Sequence, residues 1–259
     1  MLKDVTDGSD GIMLQASTSG KTDTMERQQI QQRIAENWAH VLDEVRDASK
    51  RSGRESDSVQ VIGVTKYVDA DWTADLFEAG CKNLGENRPQ VLWSKADSPG
   101  FPCEVRWHMI GHLQTNKVRR LLRYEPLIHS VDSERLLHLI AAESLKAAVT
   151  TKILLEVNIS GDESKTGMSA LEVDRLLQQG PIDGVEVMGL MAMTGLGADQ
   201  ETAQRQFDRV RELRDQLSLS SGLPLRELSM GMSGDFVEAI SSGATMVRIG
   251  SRLFDGLLS

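Results

Sequence analysis

From residue 59 onward, short runs of apolar residues alternate with longer stretches whose apolar positions recur every three or four residues. The runs fall at 59–64, 83–85, 105–110, 127–131, 153–158, 185–190, 225–229 and 245–249. Each has the length of a buried strand. Between them, Leu136, Leu137, Ile140 and Leu145 mark a helix over 133–147. Ser169 and Glu172 form a capping box ahead of Leu176 and Leu177. Phe207, Val210, Leu213 and Leu217 follow at helical spacing. Strict alternation of strand and helix predicts parallel strands joined by crossover helices. Eight strands in about 200 residues predict an α/β fold, a single (β/α)8 TIM-type barrel, ahead of an open doubly wound sheet. The second strand is the least marked, being short and polar.

Upstream, Ile30, Ile34, Trp38, Val41, Leu42 and Val45 share one helical face. They predict an extra N-terminal helix that ends before the polar stretch 49–58. Residues 1–23 are rich in Ser, Thr, Gly and Asp and show no period, so they read as a disordered tail ahead of a domain at 24–259. Asp23 and Glu26 resemble a capping box at that boundary.

Composition narrows the function. The 259 residues include 29 Lys and Arg against 38 Asp and Glu, a net charge of −9. That balance argues against a protein that coats nucleic acid, which needs clustered cations. It leaves room for a small anionic ligand held locally. The basic run Lys117, Arg119, Arg120 and Arg123 reads as a solvated helix face. Two cysteines, Cys81 and Cys103, fit a reducing compartment better than a disulfide framework. No apolar run approaches the ~20 residues of a membrane span, and no signal peptide is evident, so a cytoplasmic protein is expected.

Chemistry in such a barrel sits where strands end. The first strand ends at Lys66, which reads either as a solvated strand-end cation or as a desolvated, carbonyl-condensing amine. The seventh runs into Met230-Gly231-Met232-Ser233-Gly234-Asp235, and the eighth into Arg248-Ile249-Gly250-Ser251. Small residues ahead of a helix can cradle an anion, and the loops after strands seven and eight often hold a phosphate. Barrel closure would set Lys66 beside them, which suggests a phosphorylated aldehyde: pyridoxal phosphate or a sugar phosphate. Asn87, after the second strand, suits a ligand oxygen or a helix cap. His108 and His112 are four apart without a partner carboxylate set, and no metal is expected. Met188, Met191, Met193, Met230 and Met232 cluster at strands six and seven, where they fill core gaps or pack on a flat ring.

These motifs resemble a known family. The segments ending at Lys66 (VIGVTK) and Asn87 (GEN), the stretch 107–117 (WHMIGHLQTNK), SVDS at 130–133 and VNISGDESKTGM at 157–168 are similar to those of the pyridoxal phosphate homeostasis proteins. So are GLMAM at 189–193, LSMGMSGDF at 228–236 and VRIGS at 247–251. The resemblance runs from about Arg33 to Phe254. It implies one barrel similar to the N-terminal domain of alanine racemase, with pyridoxal 5'-phosphate as cofactor in a Schiff base on Lys66. It further implies that Ser233, Gly250 and Ser251 hold the phosphate, that Arg248 faces the pyridine nitrogen and that Asn87 lies near the cofactor. Arg88, Pro89 and Thr194 depart from the family's commoner residues, as does the ending Leu253-Phe254-Asp255-Gly256.

The resemblance favours a carrier or regulator in cofactor homeostasis, without turnover, over an amino-acid racemase or a lysine aldolase. Racemisation needs an electron sink and bases on both faces of the substrate. The chain stops soon after strand eight, where alanine racemase continues into a domain supplying the second base. Only Tyr67 and Tyr124 are present as tyrosines. The expected partners are pyridoxal phosphate and pyridoxal phosphate-dependent apo-enzymes, with no nucleic acid and no membrane, and the chain is expected to be a monomer.

Overall fold

Eight parallel strands close on themselves in the computed structural model, which describes residues 16–159, 166–195 and 197–258. They are β1 (Gln60–Val64), β2 (Asn83–Glu86), β3 (Arg106–Met109), β4 (Leu127–Val131), β5 (Thr151–Glu156), β6 (Val185–Met191), β7 (Glu227–Met232) and β8 (Met246–Ile249). Each pairs with the next in sequence, and β8 returns to β1 through Gln60↔Met246, Val61↔Val247, Ile62↔Arg248 and Gly63↔Ile249. The open sheet is thereby excluded. The polar run at 83–85 forms β2 because neighbours on both sides complete its ladder, at Val64↔Gly85 and at Leu84↔Trp107. Context of this kind outweighs weak strand propensity.

The helices are α1 (Ala16–Arg51), α2 (Ala70–Glu78), α3 (Pro89–Ala96), α4 (Val118–Leu121), α5 (Glu134–Lys146), α6 (Ala170–Leu177), α7 (Gln200–Ser221) and α8 (Phe236–Ser241). Their starts are written in the sequence. Asp69, Ser133 and Asp199 accept from the backbone N–H three residues on, and Ser169 with Glu172 forms the expected capping box. Pro89 is the first residue of α3, where its missing N–H is harmless, and Arg88 before it is extended. The departure from family pattern at Arg88-Pro89 therefore makes a clean helix start.

After β8 the chain makes only a short 3-10 turn, Ser251–Phe254. The place of an eighth outer helix is taken by α1, which packs against α2, α8 and that turn. Ile34, Trp38, Val41 and Val45 are its buried stripe. Asn37 Nδ2 donates to the carbonyls of Leu253 (3.2 Å) and Asp255 (3.0 Å), fastening the two ends of the domain together. The helix begins at Ala16, inside the span 1–23 read as a tail, and Asp23 lies within it rather than at its cap. Adding residues to an established helix costs only their propensity, since nucleation has already been met. The tail expectation for residues 1–15 lies outside the described residues. A continuous apolar cluster joins α1 to strand residues such as Ile128, Ile153 and Val247 and to Leu137, Phe207 and Ile240 of the outer helices.

Candidate functional site

The rim at the C-terminal ends of the strands gathers the residues singled out in the sequence. β1 stays buried through Thr65, and Lys66 is the first exposed residue beyond it, its Nζ 4.8 Å above the ring of Tyr67. The burial expected of a desolvated amine is not present at Lys66, because the barrel wall ends one residue earlier. The next rim position in register is Gly250, pressed against β1: a Cβ built there would meet Val64 Cβ at 3.3 Å and Val64 O at 3.4 Å. The Gly250 N–H donates to Ser233 Oγ at 3.3 Å, so the loops after β7 and β8 are tied directly to each other. Ser251 is exposed and opens the 3-10 turn, where a first residue's N–H has no helical partner. Gly234 has open space around it.

The helix beyond this cradle is α8, only six residues long, and its N-cap Asp235 makes no capping bond. Asp235 instead accepts from Met232 N (2.6 Å) and Thr194 Oγ1 (2.8 Å). Thr194 thus braces the loop after β7 against that after β6. Of the groups the sequence offered for an anion, hydroxyls and loop N–H groups stand at this rim, while the helix end beyond them belongs to a helix of six residues.

Beneath the rim lies Arg248, almost fully buried. Its Nη1 donates to Ser229 O (2.8 Å) and Ser229 Oγ (2.7 Å), and its Nη2 to Ala192 O (3.1 Å). A guanidinium carries five N–H groups, so two remain for a ligand. Burial lowers its pKa to about 10, against the opposing charges of Asp235 and Glu156, and it stays protonated at neutral pH. Asn87 is half-buried on the neighbouring strand end, and Gly111 sits hard against its backbone: a Cβ there would lie 2.3 Å from Asn87 O.

On the other side of the rim, a cavity of about 530 Å³ is lined by Glu156, Thr166, Met193, Met232, Gly234 and Asp235, among others. Glu156 is buried and its pKa is raised by that burial, while the Thr166 hydroxyl, donating at 2.5 Å, opposes the shift. The methionine cluster divides: Met191 and Met230 fill the core, whereas Met193 and Met232 are exposed at this cavity.

Two groups escaped the sequence reading. One is the buried pair of Lys95 and Glu86, with Lys95 Nζ 2.5 Å from Glu86 Oε1 and 2.7 Å from Thr65 O. Thr65 Oγ1 also donates to Glu86 Oε1 at 2.6 Å, and Glu86 Oε2 is buried without a partner. Glu86 closing a strand of Asn83-Leu84-Gly85 was the available signal, and the weakness of that strand's pattern obscured it. The other is the pair His129 and Ser229 inside the barrel, which His108, weighed in the sequence only as a metal ligand, joins. His108 and His112 do not converge: His112 is exposed on the rim beside Asp132 at 3.1 Å. Of the basic run, Arg119, Arg120 and Arg123 are exposed, and Arg120 lies over Trp93 and beside Asp97. Tyr124 is at the opposite end of the barrel, in a groove with Arg123 and Leu127.

Fitness for a phosphorylated pyridine follows from these groups. Arg248 has buried donors to spare for a ring acceptor, and Ser233 and Ser251 bring hydroxyls to a cradle with open space at Gly234. An amine stands on the adjoining strand end. Among the described residues no helix is long and apolar enough to cross a membrane.

Comparison with known proteins points the same way. The family described as the alanine racemase N-terminal domain matches residues 31–257. A protein of Aquifex aeolicus (strain VF5) named pyridoxal phosphate homeostasis protein is 36% identical over 220 residues, covering 85% of this chain and 96% of the relative. The protein of that name from Mus musculus is 33% identical over 228 residues, 83% of either chain. The solved structure of PipY from Synechococcus elongatus, with PLP bound, aligns with a TM-score of 0.75 at 32% identity, covering 85% of this chain and 99% of that one.

Proposed function

We propose, for a chain that belongs to the pyridoxal phosphate homeostasis proteins of the alanine racemase N-terminal domain family, that it binds pyridoxal 5'-phosphate through Lys66 as a carrier and regulator of the cofactor. The observation that carries this reading is the closure of β8 on β1. It brings the strand end bearing Lys66 beside Gly250, which is bonded to Ser233, above the buried Arg248.

Pyridoxal phosphate, when bound, supplies an aldehyde carbon to a lysine amine and an electron-withdrawing ring. Lys66 offers the amine. Ser233, Ser251 and the loop N–H groups around Gly250 hold the phosphate, and Asn87 orients the ligand from the neighbouring strand end. Arg248 retains its own proton and offers only donors, so it favours an unprotonated ring nitrogen. A ring in that state stabilises carbanion charge poorly, which suits holding the cofactor more than turning over amino acids. Glu156 is engaged by Thr166, Tyr67 is exposed, and Tyr124 is at the far end of the barrel. Unpaired Cys81 and Cys103 suit a reducing cytoplasm, where a monomer would pass the cofactor to apo-enzymes.

The test is borohydride reduction of the purified protein with pyridoxal phosphate, followed by peptide mapping. The adduct is expected on Lys66 and absent from Lys66→Ala, whose circular dichroism should be unchanged. An adduct on Lys152 instead would overturn the assignment. Steady production of D-alanine from L-alanine by the unmodified protein, lost in Lys66→Ala, would replace the carrier reading with a racemase.

A further inference from the structure

The barrel interior contains an uninterrupted row of polar contacts. Arg248 Nη1 donates to Ser229 Oγ at 2.7 Å, and Ser229 Oγ lies 2.8 Å from His129 Nδ1. His129 Nε2 lies 2.9 Å from His108 Nδ1, and His108 Nε2 lies 3.3 Å from Asn83 Oδ1. Four strands contribute interior links, and β2 supplies the end. Ser229 and His129 are fully buried, and His108 and Arg248 are each 4% exposed. Asn83 and His108 reach a groove of about 950 Å³ at the N-terminal ends of the strands. The row therefore spans the barrel from one end to the other.

We propose that Ser229, His129 and His108 are positioning residues for Arg248, forming a one-directional hydrogen-bond chain that holds its guanidinium as a donor facing the cofactor pocket. The proposal rests on the cofactor reading above for what Arg248 faces, but the direction of the chain stands on the protein alone.

The chemistry of the two ends sets that direction. A guanidinium can only donate, and a carboxamide oxygen can only accept. Asn83 Oδ1 requires the His108 proton on Nε2, which leaves His108 Nδ1 as an acceptor. His129 must then carry its proton on Nε2, and its Nδ1 accepts from the Ser229 hydroxyl. Ser229 Oγ, having given its proton to His129, accepts from Arg248. Every contact holds one proton, and both imidazoles are neutral Nε2–H tautomers. Turning the Asn83 amide over would reverse the histidines, so that His129 Nδ1–H and Arg248 both donated to Ser229 Oγ. The serine proton would then be buried without an acceptor, which is unfavourable. Arg248 thus fixes the arrangement even if Asn83 rotates.

Burial favours the same state. It pushes the His108 pKa down to about 3, with the Arg106 charge adding to it. It also lowers His129 well below the ordinary range, helped by His108 and Arg248. Arg248 receives in return a fixed partner for Nη1, so its free N–H groups are directed away from Ser229. Without the chain, one of the three bonds that orient the guanidinium is lost, and the other two end on main-chain carbonyls.

The test uses the full chain, first without cofactor. Nitrogen-15 NMR of the imidazoles should show Nε2 protonated and Nδ1 unprotonated in both His108 and His129. A proton on Nδ1 of His129 would overturn the proposal, and this measurement needs no variant. The second arm compares His129→Leu with His129→Asn, whose amide can still meet the Ser229 hydroxyl. The Leu variant should speed hydrogen exchange of the Arg248 guanidinium and weaken pyridoxal phosphate on the order of tenfold. It should also shift the absorbance of the bound cofactor, and Asn should restore all three. A folded Leu variant with unchanged Arg248 exchange would overturn the positioning role. Failure of the unmodified protein to take up pyridoxal phosphate would sink the cofactor reading instead, while the tautomers and Arg248 exchange would still decide the chain.

Discussion

Lys95 and Glu86 meet as an ion pair at 2.5 Å inside the wall of the barrel, and the same ammonium holds the carbonyl of Thr65, the residue before Lys66. Both side chains are 5% exposed or less. The strand end that presents Lys66 is thus pinned by a buried pair rather than by burial of Lys66 itself. Removing one partner of such a pair leaves a charge without compensation.

Lys95→Met should therefore destabilise the fold by about 3–5 kcal/mol, since Glu86 would be stranded. The double variant Lys95→Met with Glu86→Leu should recover much of that loss. Urea unfolding of the single and double variants measures both, and equal stabilities for all three proteins would contradict the pair's structural role.

The phosphate cradle is tested by its selectivity. Each hydrogen bond from a serine hydroxyl to a charged oxygen should contribute about 1.5–3 kcal/mol. A Ser233→Ala, Ser251→Ala double variant should weaken pyridoxal phosphate far more than pyridoxal in fluorescence titrations. Equal losses for the two ligands would place the phosphate elsewhere.

Acid should unfold the protein through the interior histidines. In the unfolded chain each titrates near 6.5, whereas in the fold His108 stays neutral down to about 3 and His129 is also depressed. Below the unfolded value the unfolded state binds more protons, so stability is present above about 6.5 and is lost as pH falls. Each histidine contributes a slope approaching ~1.4 kcal/mol per pH unit, giving a loss of about 2–3 kcal/mol between about pH 7.5 and about pH 5.5. Glu156, raised by burial, acts with the opposite sign at lower pH. His108→Gln should flatten the slope by about half in urea titrations, and an unchanged slope would remove His108 as its source.

Gly111 and Gly234 should behave oppositely. A Cβ at Gly111 meets Asn87 O at 2.3 Å and Asn87 Cα at 2.8 Å, both backbone atoms. Gly111→Ala should cost about 1–3 kcal/mol and displace Asn87, weakening pyridoxal phosphate. Gly234→Ala meets no atom within 4 Å and should unfold at the wild-type temperature. Thermal melts separate the two cases.

The strands were readable because a parallel strand buried on both faces is an apolar run of limited length. The polar run at 83–85 was the least legible, because its ladder is completed by β1 and β3, which one dimension does not set beside it. Lys66, Ser233, Gly250 and Ser251 could be singled out as candidates because strand ends are visible in one dimension. The interior chain was not. His129 sits with Ser130 in Leu127-Ile128-His129-Ser130-Val131 and Ser229 in Leu228-Ser229-Met230, where one or two polar residues among apolar ones read as core. Their contact joins residues 100 apart and depends on which strands face each other across the barrel. Lys95 was hidden for a different reason. Its helix, α3, has eight residues, too few for a helical period to register.

The strand closure described above has a consequence for synthesis. Lys66 follows the first strand of the barrel to leave the ribosome, whereas Arg248 and Gly250 come with the last. Until β8 docks, the first strand has an unpaired edge, Arg248 has no place beside Ser229, and Ser233 lacks the Gly250 N–H. Contacts between such distant parts of a chain form late. On the proposed assignment, a nascent or prematurely terminated chain therefore presents the lysine without its cradle, and cofactor capture belongs to the completed barrel alone.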